Sequence, residues 1–313
     1  MGDYFRFSVF TPTYNRARFL TRAYKSLAEQ VYKDFEWVVV DDGSDDNTEE
    51  LIRNFISENR LRSIRYIKKE NGGKHTAWRI ATPEFSSKYV VTLDSDDMLL
   101  PTALEVFNRY WTELEQSSDF DEFWEVKGRT CDENGKLIGT PLPKNVIDSN
   151  AEEITYKYRV KGEMEGCRKV AVLRNEAKVP DSFIFQEKCS NFPEGVRWAR
   201  AGKKYKTRYF DEVVRIYFSD ASDTLSASTR RSGNKKNTYN SLVSCMYCLS
   251  ESRDAMLRWD RLSYFRTIAS LVYFSFRLGL NPFELPFENL PKYEKVFMII
   301  LYLPIYIAYL GLK

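Results

Sequence analysis

Four short apolar runs in the first hundred residues each lead directly into a polar cluster. "FRFSVFTP" leads into "TPTYNR", "FEWVVVDD" into "DDGSDDNT", "SIRYIKK" into "KKENGGKH" and "KYVVTLD" into "DSDD". Runs this apolar and β-branched suit strands covered on both faces. Between them, "RFLTRAYKSLAEQ" carries apolar residues at helical spacing, 48–57 reads as a second helix and 74–81 as the start of a third. Pro12 reads as the end of the first strand, and Pro101 as the opening of the helix after the fourth, where proline is tolerated. Strands alternating with helices predict right-handed βαβ units and an α/β fold built on a mostly parallel sheet. Ligands of such sheets bind outside the carboxyl ends of the strands, which is where all four polar clusters fall.

The middle of the chain is less regular. "DENGKLIG" (132–139) reads as a hairpin turn, and "NFPEGVRWARAGKKY" as a short helix starting after Pro193. "YKTRYFDEVVRIYF" reads as two strands around Asp211–Glu212. Residues 219–237 are small, polar and basic, and read as a mobile loop. These features predict a catalytic domain over 1–222 and a helical C-terminal region over 223–313. The last segment has 17 uncharged, mainly apolar residues between Lys295 and Lys313, interrupted by Pro304. A spanning helix needs roughly 20. Aromatics throughout and lysines at both ends predict a membrane-interface segment at 296–312 instead.

A chain of 313 residues can bury a substantial core, and 29% charged with 15% aromatic residues describes a globular protein. A net charge of +3 does not argue for nucleic acid as a partner. From Thr224 onward 12 Lys/Arg face 6 Asp/Glu, which suits an anionic membrane surface. Five cysteines, an odd number, and no signal-peptide pattern predict a reducing, cytoplasmic setting on the inner face of the membrane. "CMYC" at 245–248 has the spacing of half a zinc site, but no second pair completes it and the only histidine is His75. An ordinary helix face is the simpler reading.

Asp94, Asp96 and Asp97 follow the fourth strand. Carboxylates this close repel one another unless a cation sits among them. Hard oxygen ligands at this spacing suit Mg²⁺ or Mn²⁺, which commonly bridge to substrate phosphates. A helix cap explains Asp96 or Asp97 ahead of Pro101, but not all three. At the end of the second strand, Asp41 or Asp42 can accept from a base N–H or a ribose hydroxyl, while a turn and cap account for Gly43, Ser44 and Asp45. "ENGGKH" resembles an anion-binding loop, with Lys74 supplying charge and His75 either touching phosphate or capping the helix. It lacks the spacing of a P-loop.

Taken together, "SVFTPTYNR", "WVVVDDGSDDNT", "NGGKHTA", "VVTLDSDDMLLP" and "PEGVRW" resemble a family 2 glycosyltransferase of GT-A fold, over Phe7 to Phe218. The resemblance implies an inverting transfer from a nucleotide-diphosphosugar, a UDP-sugar in the first instance, assisted by Mn²⁺ or Mg²⁺. By position it implies that Pro12, Thr13 and Tyr14 line the nucleoside pocket and that Asp42 reads the base. Asn71 and Lys74 would lie along the nucleotide, Asp94 near the ribose, and Asp96 on the metal. The family's base is an Asp four residues before a Trp. Here Glu194 stands four before Trp198, with Pro193 where the family has Glu, and Glu187 is the reserve. Together with the C-terminal segment, the resemblance implies a polyprenyl-diphosphate-linked saccharide as acceptor, as in assembly of bacterial surface polysaccharides. The Pro193–Glu194 departure keeps an alternative open: a non-catalytic module that binds a nucleotide sugar or scaffolds a membrane complex.

Overall fold

The computed structural model describes residues 5–175, 193–219, 235–285 and 292–311. By its contacts the chain divides into two compact units, Met1–Lys178 with Trp198–Ser222, and Val179–Arg197 with Asp223–Lys313.

The first unit opens with β1 (Phe5–Thr13), α1 (Ala17–Ala28), β2 (Phe35–Asp41), α2 (Thr48–Glu58), β3 (Ile64–Lys68), α3 (Lys74–Glu84) and β4 (Ser87–Thr92). There follow β5 (Met98–Leu99), α4 (Ala103–Glu115), β6 (Phe123–Asp132), β7 (Val146–Ser149), β8 (Met164–Lys169), α5 (Val170–Asn175), the part of α6 (Glu194–Lys204) from Trp198 onward, and β9 (Lys206–Tyr217). The sheet runs β3-β2-β1-β4-β8-β6-β9-β5, with β7 also on β9. β3, β2, β1 and β4 are mutually parallel. β8 joins β4 to β6 antiparallel to both, and β9 lies parallel to β6.

Alternation along the parallel strands explains their unbroken apolar runs. Phe7, Val9, Trp37, Val39, Tyr89 and Val91 enter one core with α1, α2 and α4. Phe10, Val38, Val40 and Val90 enter a second with Trp78, Ala81 and Leu173 on the opposite face. Both faces of β1, β2 and β4 are therefore withdrawn from water, at roughly 1.5–3 kcal/mol per large apolar side chain, while the edge strand β3 is only partly buried. Near the start of β2, Glu36 is buried and accepts from Ser8 Oγ at 2.5 Å, Ser86 N at 2.8 Å and Arg65 Nε at 2.9 Å.

Two expectations from the sequence change. β1 runs through Pro12 to Thr13 rather than stopping at the proline. The Phe10 carbonyl accepts from Leu93 and the Thr13 carbonyl from Asp42, so by alternation the Pro12 nitrogen faces the β4 side. Pairing with β4 has already ended at Thr92, and a strand edge tolerates the missing N–H. Residues 206–217 form one strand, not two. Between the pairs Lys127–Tyr209 and Arg129–Val213, one residue of β6, Gly128, opposes three of β9, Phe210, Asp211 and Glu212. Asp211 and Glu212 occupy that bulge, which mimics a turn in sequence. The hairpin over 132–139 is present, with Asp132 N donating to the Lys136 carbonyl at 2.9 Å. Of the expected mobile loop at 219–237, residues 220–234 lie outside the described residues.

The second unit is helical where described: α7 (Lys235–Glu251), α8 (Arg253–Trp259), α9 (Arg261–Leu278) and α10 (Lys292–Gly311). Cys245 and Cys248 lie on α7, and neither forms a disulfide among the described residues. α9 starts on an Asp260 cap, whose side chain accepts from Ser263 N, and ends at Gly279 with φ 69°. On α10, Met298 is buried, Phe297 stacks on Phe265 at 4.7 Å, and Tyr302 and Tyr306 meet Phe276 at 4.8 and 5.4 Å. Val296, Ile299, Ile300, Leu303 and Ile307 form the opposite stripe and are 54–61% exposed. No described helix is long and apolar enough to cross a membrane.

Candidate active site

Because β1 to β4 are parallel, their carboxyl ends share one edge, and the four polar loops gather there. The loop after β1 turns on Asn15, whose φ of 52° lies in the left-handed region that asparagine tolerates. Its Oδ1 accepts from Asp45 N at 2.8 Å, and its own N–H donates to Ser44 Oγ at 2.8 Å. Asp46 serves both neighbouring helices. Its Oδ2 accepts from Ala17 N at the start of α1, and its Oδ1 from Thr48 N at the start of α2. Burial alone would raise the Asp46 pKa, but these hydrogen bonds and that of the Thr48 hydroxyl hold it below the ordinary value.

Asp41 and Asp42 behave differently from each other. Asp41 is fully buried and accepts from Ser44 N at 2.8 Å, Ser44 Oγ at 2.6 Å and the Tyr66 hydroxyl at 2.5 Å. Asp42 organises the glycine loop. Its two oxygens accept from Gly72 N at 2.9 Å and Gly73 N at 2.7 Å, with Lys69 Nζ alongside. Asn71 Nδ2 donates to the Asp42 carbonyl at 3.0 Å. Gly43, at φ 83°, has no room for a side chain, since a Cβ there would sit 3.0 Å from Asn71 N. The two loops are thus in direct contact. Thr13 Oγ1 is buried and without a hydrogen-bond partner among the described residues, while Tyr14 is 45% exposed.

The acidic loop after β4 is a tight turn, closed by Asp97 N donating to the Asp94 carbonyl at 3.1 Å. Each carboxylate meets its own protein cation, and each cation comes from a different element. Lys74, at the start of α3, lies 2.7 Å from Asp94. Arg16, ahead of α1, lies 2.5 Å from Asp96. Arg215, on β9, lies 3.6 Å from Asp97 and 3.0 Å from Glu165, and also pairs with Glu163. Asp97 further accepts from Phe218 N at 3.2 Å. The task of supplying the cations that the sequence requires among these carboxylates thus falls at least in part to the protein's own side chains.

They do not share it equally. Burial would raise Asp94, but Lys74, Arg215 and Arg16 hold it below the ordinary value. Asp96 is raised by burial and by the Asp94 charge, against the pull of Arg16. Asp97 is pushed up to about 8 by burial and by both neighbouring aspartates, in spite of Arg215. Among the described residues no three His, Cys, Asp or Glu side chains converge into an all-protein metal cage. A divalent ion still fits the donor set at Asp96. Mg²⁺-type ions commonly use one or two carboxylates and complete their shell with substrate phosphates and water.

The geometry therefore brings Thr13, Tyr14, Asp42, Asn71, Lys74, Asp94 and Asp96 to one edge, with Lys74 on Asp94 and Asn71 on Asp42 in direct contact. Glu194 opens α6, whose Trp198 packs edge-on against Trp78 at 4.9 Å. The Glu194 side chain and the reserve candidate Glu187 lie outside the described residues. Sequence reasoning missed Arg16, Lys69 and Arg215 as partners of the acidic groups. Arg16 stood in view in "TPTYNR", but nothing in the sequence pairs it with a residue eighty positions later.

Comparison with known proteins agrees with this geometry. The model of Glycosyl transferase family 2 matches residues 8–128. An uncharacterized glycosyltransferase of Rickettsia bellii is 32% identical over 131 residues, covering 42% of this chain but only 18% of that protein. The chain thus spans less than a fifth of that relative's length. The GalNAc(5)-diNAcBac-PP-undecaprenol beta-1,3-glucosyltransferase of Campylobacter jejuni is 30% identical over 229 residues, covering 71% of this chain and 68% of the relative. Residues 1–349 of S. aureus TarS, solved with UDP-GlcNAc, superpose with a TM-score of 0.57 at 17% identity, covering 95% of this chain and 79% of that one. At that identity the likeness speaks for the fold, an α/β sheet of GT-A type flanked by helices. The parallel sheet edge, its acidic turn and the two-thirds coverage of the Campylobacter relative lead to one conclusion: the chain belongs to glycosyltransferase family 2.

Proposed function

We propose that the chain transfers a sugar from a UDP-sugar to a hydroxyl of a lipid-linked saccharide, inverting the anomeric centre in a single displacement. The observation that carries this reading is the acidic turn Asp94–Asp97 set beside the glycine loop at the carboxyl edge of the parallel strands. The TarS structure with UDP-GlcNAc supports the class of donor, and the PP-undecaprenol acceptor in the Campylobacter relative's name supports the class of acceptor.

Pro12, Thr13 and Tyr14 would line the nucleoside pocket, where the unpartnered Thr13 hydroxyl offers a donor and an acceptor. Asp42 would receive the base. Its oxygens are engaged by Gly72 and Gly73, so the base shares a carboxylate that the loop has already oriented. Asn71 and Lys74 would follow the nucleotide, and Asp94 would take the ribose. Asp96 would hold Mn²⁺ or Mg²⁺, which when bound neutralises the charge that develops on the departing diphosphate. Glu194 would accept the proton of the attacking hydroxyl, a contribution of about 10²–10⁴-fold.

The exposed apolar stripe of α10 supports peripheral attachment to the cytoplasmic membrane face. Five aliphatic side chains on one helix face are an unusual cost in water and suit the headgroup boundary. Ile299→Glu with Leu303→Glu should release the protein from anionic vesicles; unchanged co-sedimentation would move attachment to another surface.

The transfer itself is tested by incubating the full chain with UDP-sugars, Mn²⁺ and a polyprenyl-diphosphate-linked saccharide. An inverted linkage is expected, with turnover lost and UDP binding kept in Glu194→Gln. Mn²⁺-dependent UDP binding without product on any such acceptor would instead favour a non-catalytic binding module.

A further inference from the structure

We propose that Arg159 and Lys161, in the segment leading into β8, bind the diphosphate of the lipid-linked acceptor. The inference rests on the acceptor reading given above and supplies residues for it.

The segment lies at the catalytic edge. β8 runs antiparallel to β4, so the chain that enters β8 arrives at the edge where β4 gives way to Asp94–Asp97. Along the sheet, β1 and β2 lead into the expected nucleoside residues on one side of β4, and β8 lies on the other. An anion held at the start of β8 is thus across β4 from the nucleoside side. The link to the acidic turn is short. Glu163 pairs with Arg215, which lies 3.6 Å from Asp97. Lys161 stands two residues before Glu163 and Arg159 two before Lys161, and each such step spans at most about 7 Å.

The backbone here is not that of a passive connection. Glu153–Lys157 form a single π turn, with Tyr158 N donating to the Glu153 carbonyl at 2.9 Å. Turns of this kind are frequent at functional sites. Arg159 follows with a φ of 54°, a left-handed conformation that a long side chain rarely adopts. The underside is anchored, because Ile154 is buried with Leu142 and Tyr209 and Val160 packs on the same cluster. The far end is clamped. Thr140 N donates to the Lys161 carbonyl at 2.9 Å, and Lys161 N donates to Thr140 Oγ1 at 2.8 Å. Gly139 crosses so close that a Cβ on it would stand 2.0 Å from the Lys161 carbonyl oxygen. A strained residue persists only where its surroundings over-determine it, and they do so here.

This frame holds two exposed cations, Arg159 and Lys161, on either side of Val160. Neither has an ion-pair partner among the described residues. The nearby acids are engaged elsewhere, Glu153 by Lys157 at 3.0 Å and Glu163 by Arg215. A merely solvated loop carries such charges without strain. Two cations on a fixed backbone suit a diphosphate, with the guanidinium fork taking phosphate oxygens in pairs. Pre-ordering them lowers the entropy lost when the acceptor binds.

The test uses the detergent-solubilised full chain as wild type, Arg159→Gly, Arg159→Lys and Lys161→Gln. Calorimetry follows binding of a polyprenyl-diphosphate-linked saccharide, of the same saccharide as an uncharged alkyl glycoside, and of UDP with Mn²⁺. Arg159→Gly and Lys161→Gln should each weaken the diphosphate acceptor about tenfold, the scale of one charge-assisted contact, and leave the other two ligands as they were. Arg159→Lys, which keeps the charge without the fork, should recover part of that loss. Arg159→Gly should melt no lower than wild type, because glycine takes a left-handed φ without steric cost. Binding lost without stability lost separates this role from a structural one. Unchanged affinity for the diphosphate acceptor, or equal weakening of the alkyl glycoside, overturns the site. Weakened UDP would hand the cations to the donor, and lost co-sedimentation with anionic vesicles at unchanged acceptor affinity would hand them to lipid headgroups; either result overturns the assignment. A wild type that binds the acceptor through these residues but forms no product fails the transfer reading alone, whereas one that does not bind it overturns this inference.

Discussion

β1 is flanked by β2 and β4, and both neighbours lead into aspartates, yet the two acidic ends are satisfied in different ways. At the end of β2, Asp41 and Asp42 are held mainly by uncharged donors fixed in the backbone and nearby hydroxyls: Ser44, Tyr66, Gly72 and Gly73. After β4, Asp94, Asp96 and Asp97 rely on the side chains of Lys74, Arg16 and Arg215. Backbone donors cannot leave without unfolding a loop, whereas a long cationic side chain can exchange one anion for another. The first end is suited to fixing shape, and the second to chemistry in which charge arrives and departs.

That contrast can be broken most forcefully at Asp96. Asp96→Asn should remove Mn²⁺-dependent UDP binding and lower kcat/KM on the order of 10²–10³-fold. Its melting temperature in EDTA should stay near wild type, because a like charge has been removed from the turn. Asp42→Asn should do the reverse in stability. It sets an amide donor against the Gly72 and Gly73 N–H groups, costing about 1–3 kcal/mol and several degrees of melting temperature. Equal destabilisation by the two variants would erase the distinction.

The smallest effect sharpens the charged end. Glu165 is pushed up to about 7 by burial, aided by Asp94 and opposed by Arg215 and Arg168. A folded pKa above the unfolded one means that the folded state binds the extra proton. The associated stability is full below the ordinary glutamate range and is lost as pH rises toward 7. Glu165→Gln has no such proton to lose. Its melting temperature relative to wild type should therefore climb by a few degrees between about pH 4.5 and 7. A pH-independent difference would mean that Glu165 is not held protonated.

The parallel half of the sheet was legible because β1, β2 and β4 are buried on both faces, which writes "FSVF", "WVVV" and "YVVTL" as apolar runs. The antiparallel half was legible only in part, at β9 and the hairpin after β6. β5 has two residues, too few for any period, and β8 is "MEGCRK", whose charges are buried through pairing that sequence does not display. Glu165 meets Arg215 and Arg168 meets Glu125 across strands far apart in the chain. The same limit applies at the site. The aspartates and glycines announced themselves by local spacing, while Arg215 could be placed beside Asp97 only once β9 was seen to end there.

Asp46 joins the amino ends of α1 and α2 through a single carboxylate. The loops after β1 and β2 are consequently stitched into one joint. A disturbance that moves the loop carrying Thr13 and Tyr14 is passed to the loop that follows Asp42, so the two shift together rather than apart.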